Sequence, residues 1–304
     1  MNLRDLEYFV AVADLGHYRV AAESCFVSQP TLSGQLRKLE EELGSPLFER
    51  STRRVSLTAF GREALFLARG ILRDSAALVE AGRALQDPFR GPLSLGVFPT
   101  LCPWLLPRLT PLFRASYPAT DFLLREERSL ELEAGLREGR LDAAILALPQ
   151  AQPGIETLAL FSEPFLLALP AAHPLAARAS IEVGELAGLE LLLLEDGHCL
   201  RDQALDLCRR FGASEAGRLK ATSLETLRQM VVLGVGITLM PRLAVPAHAE
   251  EGIAYVPISS PEARRDIGLS FRATHPRRAF LLDLAGRVRS SCGTLLPVEA
   301  LGNG

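Results

Sequence analysis

Val27-Ser28-Gln29-Pro30-Thr31-Leu32-Ser33-Gly34-Gln35-Leu36-Arg37-Lys38-Leu39-Glu40 reads as a turn followed by a helix. Ser28 to Thr31 starts the helix, with Pro30 near the first turn, where its missing N–H costs nothing. Leu32, Leu36, Leu39 and Leu43 recur at helical spacing and form a buried stripe, which turns Thr31, Gly34, Arg37 and Lys38 outward. A shorter helix, Val20 to Cys25, precedes it, and Leu3, Leu6, Phe9, Val10 and Val12 to Ala13 mark one before that. Two helices joined by a short turn, the second with a small polar and basic outer face, form the helix-turn-helix layout.

Phe48-Glu49-Arg50-Ser51-Thr52-Arg53-Arg54-Val55-Ser56-Leu57-Thr58 follows, alternating like a hairpin and carrying three arginines, so it reads as a basic wing. Residues 1–58 are therefore expected to be a winged helix-turn-helix that binds DNA. Gln29, Thr31, Ser33 and Arg37 are expected in the groove, Lys38 is a further DNA-binding residue, and Arg50, Arg53 and Arg54 reach phosphate or minor groove. Glu40, Glu41 and Glu42 would repel phosphate but sit at the far end of the helix. A net charge of −3 gives no electrostatic reason to propose nucleic acid, so the case rests on the motif.

From Thr58 to about Leu85 runs a long helix whose apolar positions (Leu65, Ala68, Leu72, Val79, with Leu67, Ile71, Leu78 and Leu85 alongside) cover more than one face. We read residues 59–90 as a linker that dimerises the DNA-binding heads, the alternative being an ordinary domain-covering helix. Asp87-Pro88-Phe89-Arg90-Gly91-Pro92 ends it.

Over 91–304 strand and helix patterns alternate. Strands are expected at Leu93 to Phe98, Phe122 to Arg125, Ala143 to Leu148, Leu189 to Leu194, Ile237 to Met240 and Ile267 to Phe271; helices at about 103–115, 129–139, 201–211, 223–233 and 277–291. This predicts α/β structure on a largely parallel sheet. Thr222-Ser223-Leu224-Glu225 is a capping box, and Gly234-Val235-Gly236 reads as a turn. The chain has 304 residues, 48% hydrophobic and 23% charged, with no leader-like opening and no apolar run of membrane-spanning length, so a cytosolic protein is expected. No metal-ligand spacing, Walker loop or GxSxG elbow appears, so neither metal nor cofactor is expected.

Five cysteines (25, 102, 199, 208, 292) form an odd set, and one stands out. Glu195-Asp196-Gly197-His198-Cys199-Leu200-Arg201-Asp202 ends a strand-like run and opens a helix marked by Leu200, Ala204, Leu207 and Phe211. Cys199 thus falls at a helix N-terminus, where free amides and the neighbouring Arg201 and His198 are expected to lower its pKa. A loop cysteine beside helix-capping charges is the blander possibility. Cys208 lies beside the apolar stripe and equally suits a core cysteine. Nine residues of helix separate the two by about 13 Å, against the roughly 7 Å limit for Cα atoms of a disulfide, so any bond between them would require unwinding.

The chain resembles the LysR-type transcriptional regulators over essentially its full length, through Met1-Asn2-Leu3-Arg4-Asp5-Leu6-Glu7-Tyr8-Phe9, the run Val27 to Glu40 and Leu136-Arg137-Glu138-Gly139-Arg140-Leu141-Asp142. Gly197 to Gln203, Cys208 and Ala221 to Arg228 resemble its peroxide-sensing members. The resemblance implies an α+β multidomain protein: winged helix-turn-helix, linker helix, and a regulatory domain of two α/β subdomains like a periplasmic binding protein. It also implies homodimers or homotetramers on promoter DNA, contact with RNA polymerase, and resetting by a cellular thiol reductant. Cys199 matches the position that reacts with hydrogen peroxide and Cys208 the resolving position. Thr100 matches a peroxide-holding hydroxyl, and His198, Arg201 and Asp202 match a supporting shell. Arg264 and Arg265 match basic residues lining the site. Ser129 stands where a threonine is expected, and Cys102 adds a thiol near Thr100 that could compete with Cys208. The expected function is peroxide-responsive transcription regulation. Its rivals are a metabolite-responsive regulator of the same family and a thiol peroxidase.

Overall fold

The computed structural model describes residues 1–49, 55–84, 87–149, 152–248 and 250–301. The chain forms two compact units, Met1–Gln86 and Asp87–Gly304. The first contains α1 (Leu3–Leu15), α2 (Tyr18–Ser24), α3 (Gln29–Leu43) and α4 (Ala59–Ala84). Asn2 and Asp5 cap α1 reciprocally, and the Ser28 side chain accepts from Thr31 N at the start of α3. Leu6, Phe9, Val12, Leu32, Leu36, Leu39, Leu47 and Phe48 form the core, with Ala68 of α4 buried against it. Gly61 is required by close approach, since a Cβ there would lie 2.0 Å from the Leu47 carbonyl oxygen. Beyond α3 the chain begins a hairpin: Phe48 bridges Leu57 and Glu49 N donates to Ser56 O at 2.8 Å. Arg50, Arg53 and Arg54, at the expected wing tip, lie outside the described residues.

The second unit runs β1 (Gly91–Val97), α5 (Cys102–Ser116), β2 (Thr120–Glu126), α6 (Ser129–Glu138), β3 (Ala143–Ala147), β4 (Ile155–Pro170), β5 (Ile181–Glu182), β6 (Glu190–Leu194), α7 (Cys199–Phe211), β7 (Ser214–Ala221), α8 (Leu224–Val232), β8 (Thr238–Pro241), β9 (Ile253–Ser259), β10 (Arg264–Arg272), α9 (Arg278–Ser290) and β11 (Glu299–Ala300). It has two hydrophobic cores. One gathers β1, β3, α5, α6 and α9, the other β6, α7, α8 and β8.

The long strand β4 joins them. Up to Pro164 it pairs antiparallel with β10, and from Phe165 onward with β8 and β9. The return crossing is at Arg264, opposite Pro164. Proline cannot donate to a ladder and is placed where the strand changes partners. The expectation of a largely parallel sheet is corrected: β1 pairs parallel with β2 and β3, but β10 and β4 run antiparallel to their neighbours. β4, β7 and β9 were absent from the strands expected. Ser162-Glu163-Pro164 interrupts the apolar pattern of the first, and β7 is polar and glycine-containing.

Candidate thiol site and DNA-facing helix

Cys199 is the first residue of α7. His198 is the N-cap, with no side-chain cap bond, and Gly197 precedes it at φ 90, a left-handed value that glycine adopts without strain. Leu200, Ala204, Leu207 and Cys208 seat the helix in the second core, whereas Cys199 packs against the first. The residue keeps partial exposure, but its sulfur is enclosed.

That enclosure decides the thiol's acidity. Burial pushes the Cys199 pKa up, against the opposing pull of the Arg265 charge, the Ser129 and Thr100 hydroxyls and the Leu200 backbone N–H. The expected lowering by the helix N-terminus and Arg201 is therefore corrected, because losing water outweighs the donors. The positive charge acting on the sulfur is Arg265, not Arg201. The Arg201 guanidinium is committed to Asp196 at 2.9 Å, Leu194 O at 3.0 Å and Glu215 at 2.8 and 3.0 Å.

Arg265 comes from β10 at the crossing between the cores, its side chain fully buried. Its Nε donates to Glu163 Oε2 at 2.7 Å, Nη1 to Thr100 Oγ1 at 3.0 Å and Nη2 to Thr100 O at 3.1 Å. Glu163 Oε1 accepts from Leu243 N at 2.6 Å. With its oxygen accepting from Arg265, the Thr100 hydroxyl has its own proton to offer the sulfur. Glu163 was not foreseen; a carboxylate inside the apolar run Leu160 to Leu169 was the available signal.

Phe98, Pro99, Thr100, Arg128, Ser129, Gly197, His198 and Cys199 line one small pocket with about 150 Å³ of empty space, none of it wide enough for a water-sized sphere. His198 is buried, and burial and then the Arg128 charge push its ring pKa down, opposed by Glu195 and a bond to the Thr222 backbone. Its Nε2 has no partner among the described residues. Asp202, exposed on the first turn of α7, does not line this pocket; nor does Arg264, which points toward Glu299 at 3.7 Å.

All five cysteines are free. Cys208 is buried, its pKa raised by burial and by the Glu215 charge. Cys102 is also buried, and burial together with a bond to Glu126 pushes it up to about 12. It is therefore held as a neutral thiol.

On α3, Gln29, Thr31, Arg37 and Lys38 are exposed and Ser33 half-buried, whereas Leu32, Leu36 and Leu39 are buried. The Glu40 carboxylate is turned inward, accepting from Leu47 N at 2.7 Å and Phe48 N at 3.3 Å, so its charge organises the hairpin base. On α4, Phe66, Leu67, Ile71, Leu78 and Val79 are exposed. Among the described residues no helix is long and apolar enough to cross a membrane.

Residues 3–62 match the bacterial regulatory helix-turn-helix protein, lysR family, and residues 86–293 the LysR substrate binding domain. The chain is 47% identical over 291 residues to the DNA-binding transcriptional dual regulator OxyR of Escherichia coli, covering 95% of each. A full-length OxyR variant from Pseudomonas aeruginosa superposes with a TM-score of 0.81 at 36% identity, covering 100% of this chain and 99% of that one. A Corynebacterium glutamicum OxyR mutant with H2O2 bound superposes at 0.68 and 35% identity, covering 97% and 94%. The chain belongs to the LysR family of DNA-binding transcription regulators, with OxyR proteins among its near relatives.

Proposed function

We propose that this protein senses hydrogen peroxide through Cys199 and converts its oxidation into a change in promoter binding. The observation that carries the reading is the Cys199 thiol held beside the Thr100 and Ser129 hydroxyls and the Arg265 charge, donors and a cation suited to a reacting peroxide. The relatives named as peroxide regulators support it.

The thiolate attacks one peroxide oxygen, the O–O bond breaks, and its electron pair leaves on the other oxygen as hydroxide, which takes a proton to become water. Thr100 and Ser129 donate to the reacting atoms, and Arg265 balances the negative charge. The Cys199 sulfenic acid is then attacked by the Cys208 sulfur, which forms the disulfide and releases a second water. Two thiols and one peroxide thus yield one disulfide and two waters. Since α7 is helical through both positions, the bond unwinds it and draws Cys199 off the first core.

The exposed face of α3 reads the promoter, the apolar face of α4 pairs with a second copy in a dimer or tetramer, RNA polymerase receives the signal, and a cellular dithiol reductant resets it. Stoichiometric H2O2 followed by mass mapping tests the first step. Cys199 should be oxidised before any other cysteine, and Cys199→Ser should abolish the peroxide-dependent change in DNA footprint. A footprint that still responds in Cys199→Ser would overturn the proposal.

A further inference from the structure

The pocket at Cys199 has no room for even a water-sized molecule, so some wall must move before a peroxide reaches the sulfur. Phe98, Thr100 and His198 are buried and cannot yield cheaply. Arg128 is the exposed side chain among the lining residues. It enters from the residue before α6 and lies across Gly197. A Cβ built there would meet Arg128 Nη1 at 3.1 Å, Cδ at 3.6 Å and Cζ at 3.8 Å. Its hold is weak. Among the described residues its side chain makes one hydrogen bond, to the Asp196 carbonyl oxygen at 3.5 Å, and no ion pair.

We infer that Arg128 is the specificity-determining lid of the thiol pocket, swinging off Gly197 to admit hydrogen peroxide and excluding bulkier hydroperoxides by its side-chain bulk. The step needs no stored strain, because exchanging one long hydrogen bond for water costs little. Gly197 belongs to the same device, since a side chain there would press on the resting guanidinium, its Cβ lying 3.1 Å from Nη1. The chemistry beneath is unchanged: with an alkyl hydroperoxide the leaving group would be an alkoxide, which takes a proton to become the alcohol.

This rests on the peroxide reading, and the test separates the two. Rates of Cys199 oxidation by H2O2 and by tert-butyl hydroperoxide are measured in full-length wild type, Arg128→Ala and Arg128→Met. Arg128→Ala should raise the bulky-to-small rate ratio by about tenfold or more, the scale on which pocket walls sort alkyl groups. Arg128→Met keeps an unbranched stem of nearly the same bulk without the charge and should stay near the wild-type ratio. An unchanged ratio in Arg128→Ala overturns the lid, as does an equal rise in both variants, which would make charge the selector. If H2O2 fails to oxidise wild-type Cys199 preferentially, the peroxide reading falls. The lid is then still read from Cys199 alkylation by iodoacetamide against the bulkier N-ethylmaleimide, where the same pattern supports it and a flat ratio removes it.

Discussion

Arg265 and Glu163 hold opposite charges with both side chains fully buried, and Arg265 hands its remaining donors to Thr100. Removing one partner of such a pair leaves an uncompensated charge, at a cost of about 3–5 kcal/mol. Glu163→Gln and Arg265→Met should each lower the denaturant midpoint accordingly, and the double variant should recover most of the loss. Peroxide reactivity of Cys199 should stay low in both variants lacking Arg265, because regained packing does not restore charge beside the sulfur. Equal reactivity in wild type and the double variant would remove Arg265 from the chemistry. The raised thiol pKa has a second consequence. With a folded-state pKa above its ordinary value, Cys199 is mostly protonated at neutral pH, and the thiolate grows about tenfold per unit through about pH 6 to 8. Its peroxide rate should climb across that whole window; a plateau by about pH 7 would mean the thiol is acidic after all.

At the scale of elements, α7 was legible and its electrostatics were not. Leu200, Ala204 and Leu207 announce the helix by period, and Gly197 and His198 announce its start. The partner charge, Arg265, is distant in sequence and adjacent only in the fold; no local pattern encodes it, and only the family resemblance pointed to it. β4 escaped notice because Glu163 and Pro164 break its apolar run, and those same residues make the crossing and the buried ion pair. The helix-turn-helix and α4 were legible because each buries a clear stripe at helical spacing. Oxidation of α7 gives a prediction of its own. Amides within 200–211 should exchange faster after one equivalent of peroxide in wild type, and the change should be lost or short-lived in Cys208→Ser. Identical exchange in the two would reduce Cys208 to a packing residue.

For the whole molecule, charge location matters more than the net value of −3. Promoter affinity should fall steeply with salt, because arginines and lysines at the DNA-binding end release phosphate counterions locally. Replacing Lys38 should flatten the slope of log affinity against log salt by about 0.9 if it contacts one phosphate, whereas Arg37→Ala should relax preference at one base pair by about 1–3 kcal/mol if it reads a guanine. Unchanged slope and unchanged preference would place DNA on another face. The exposed apolar face of α4 predicts that Leu78→Asp weakens dimers in sedimentation, and an unaffected association constant would contradict it. The central claim is that Cys199 oxidation is captured by Cys208 across a helix that must unwind. Disulfide mapping of the full-length protein after one equivalent of H2O2 tests it most directly: the account predicts a Cys199 to Cys208 bond, and a Cys199 to Cys102 bond, or no intramolecular bond, would contradict it.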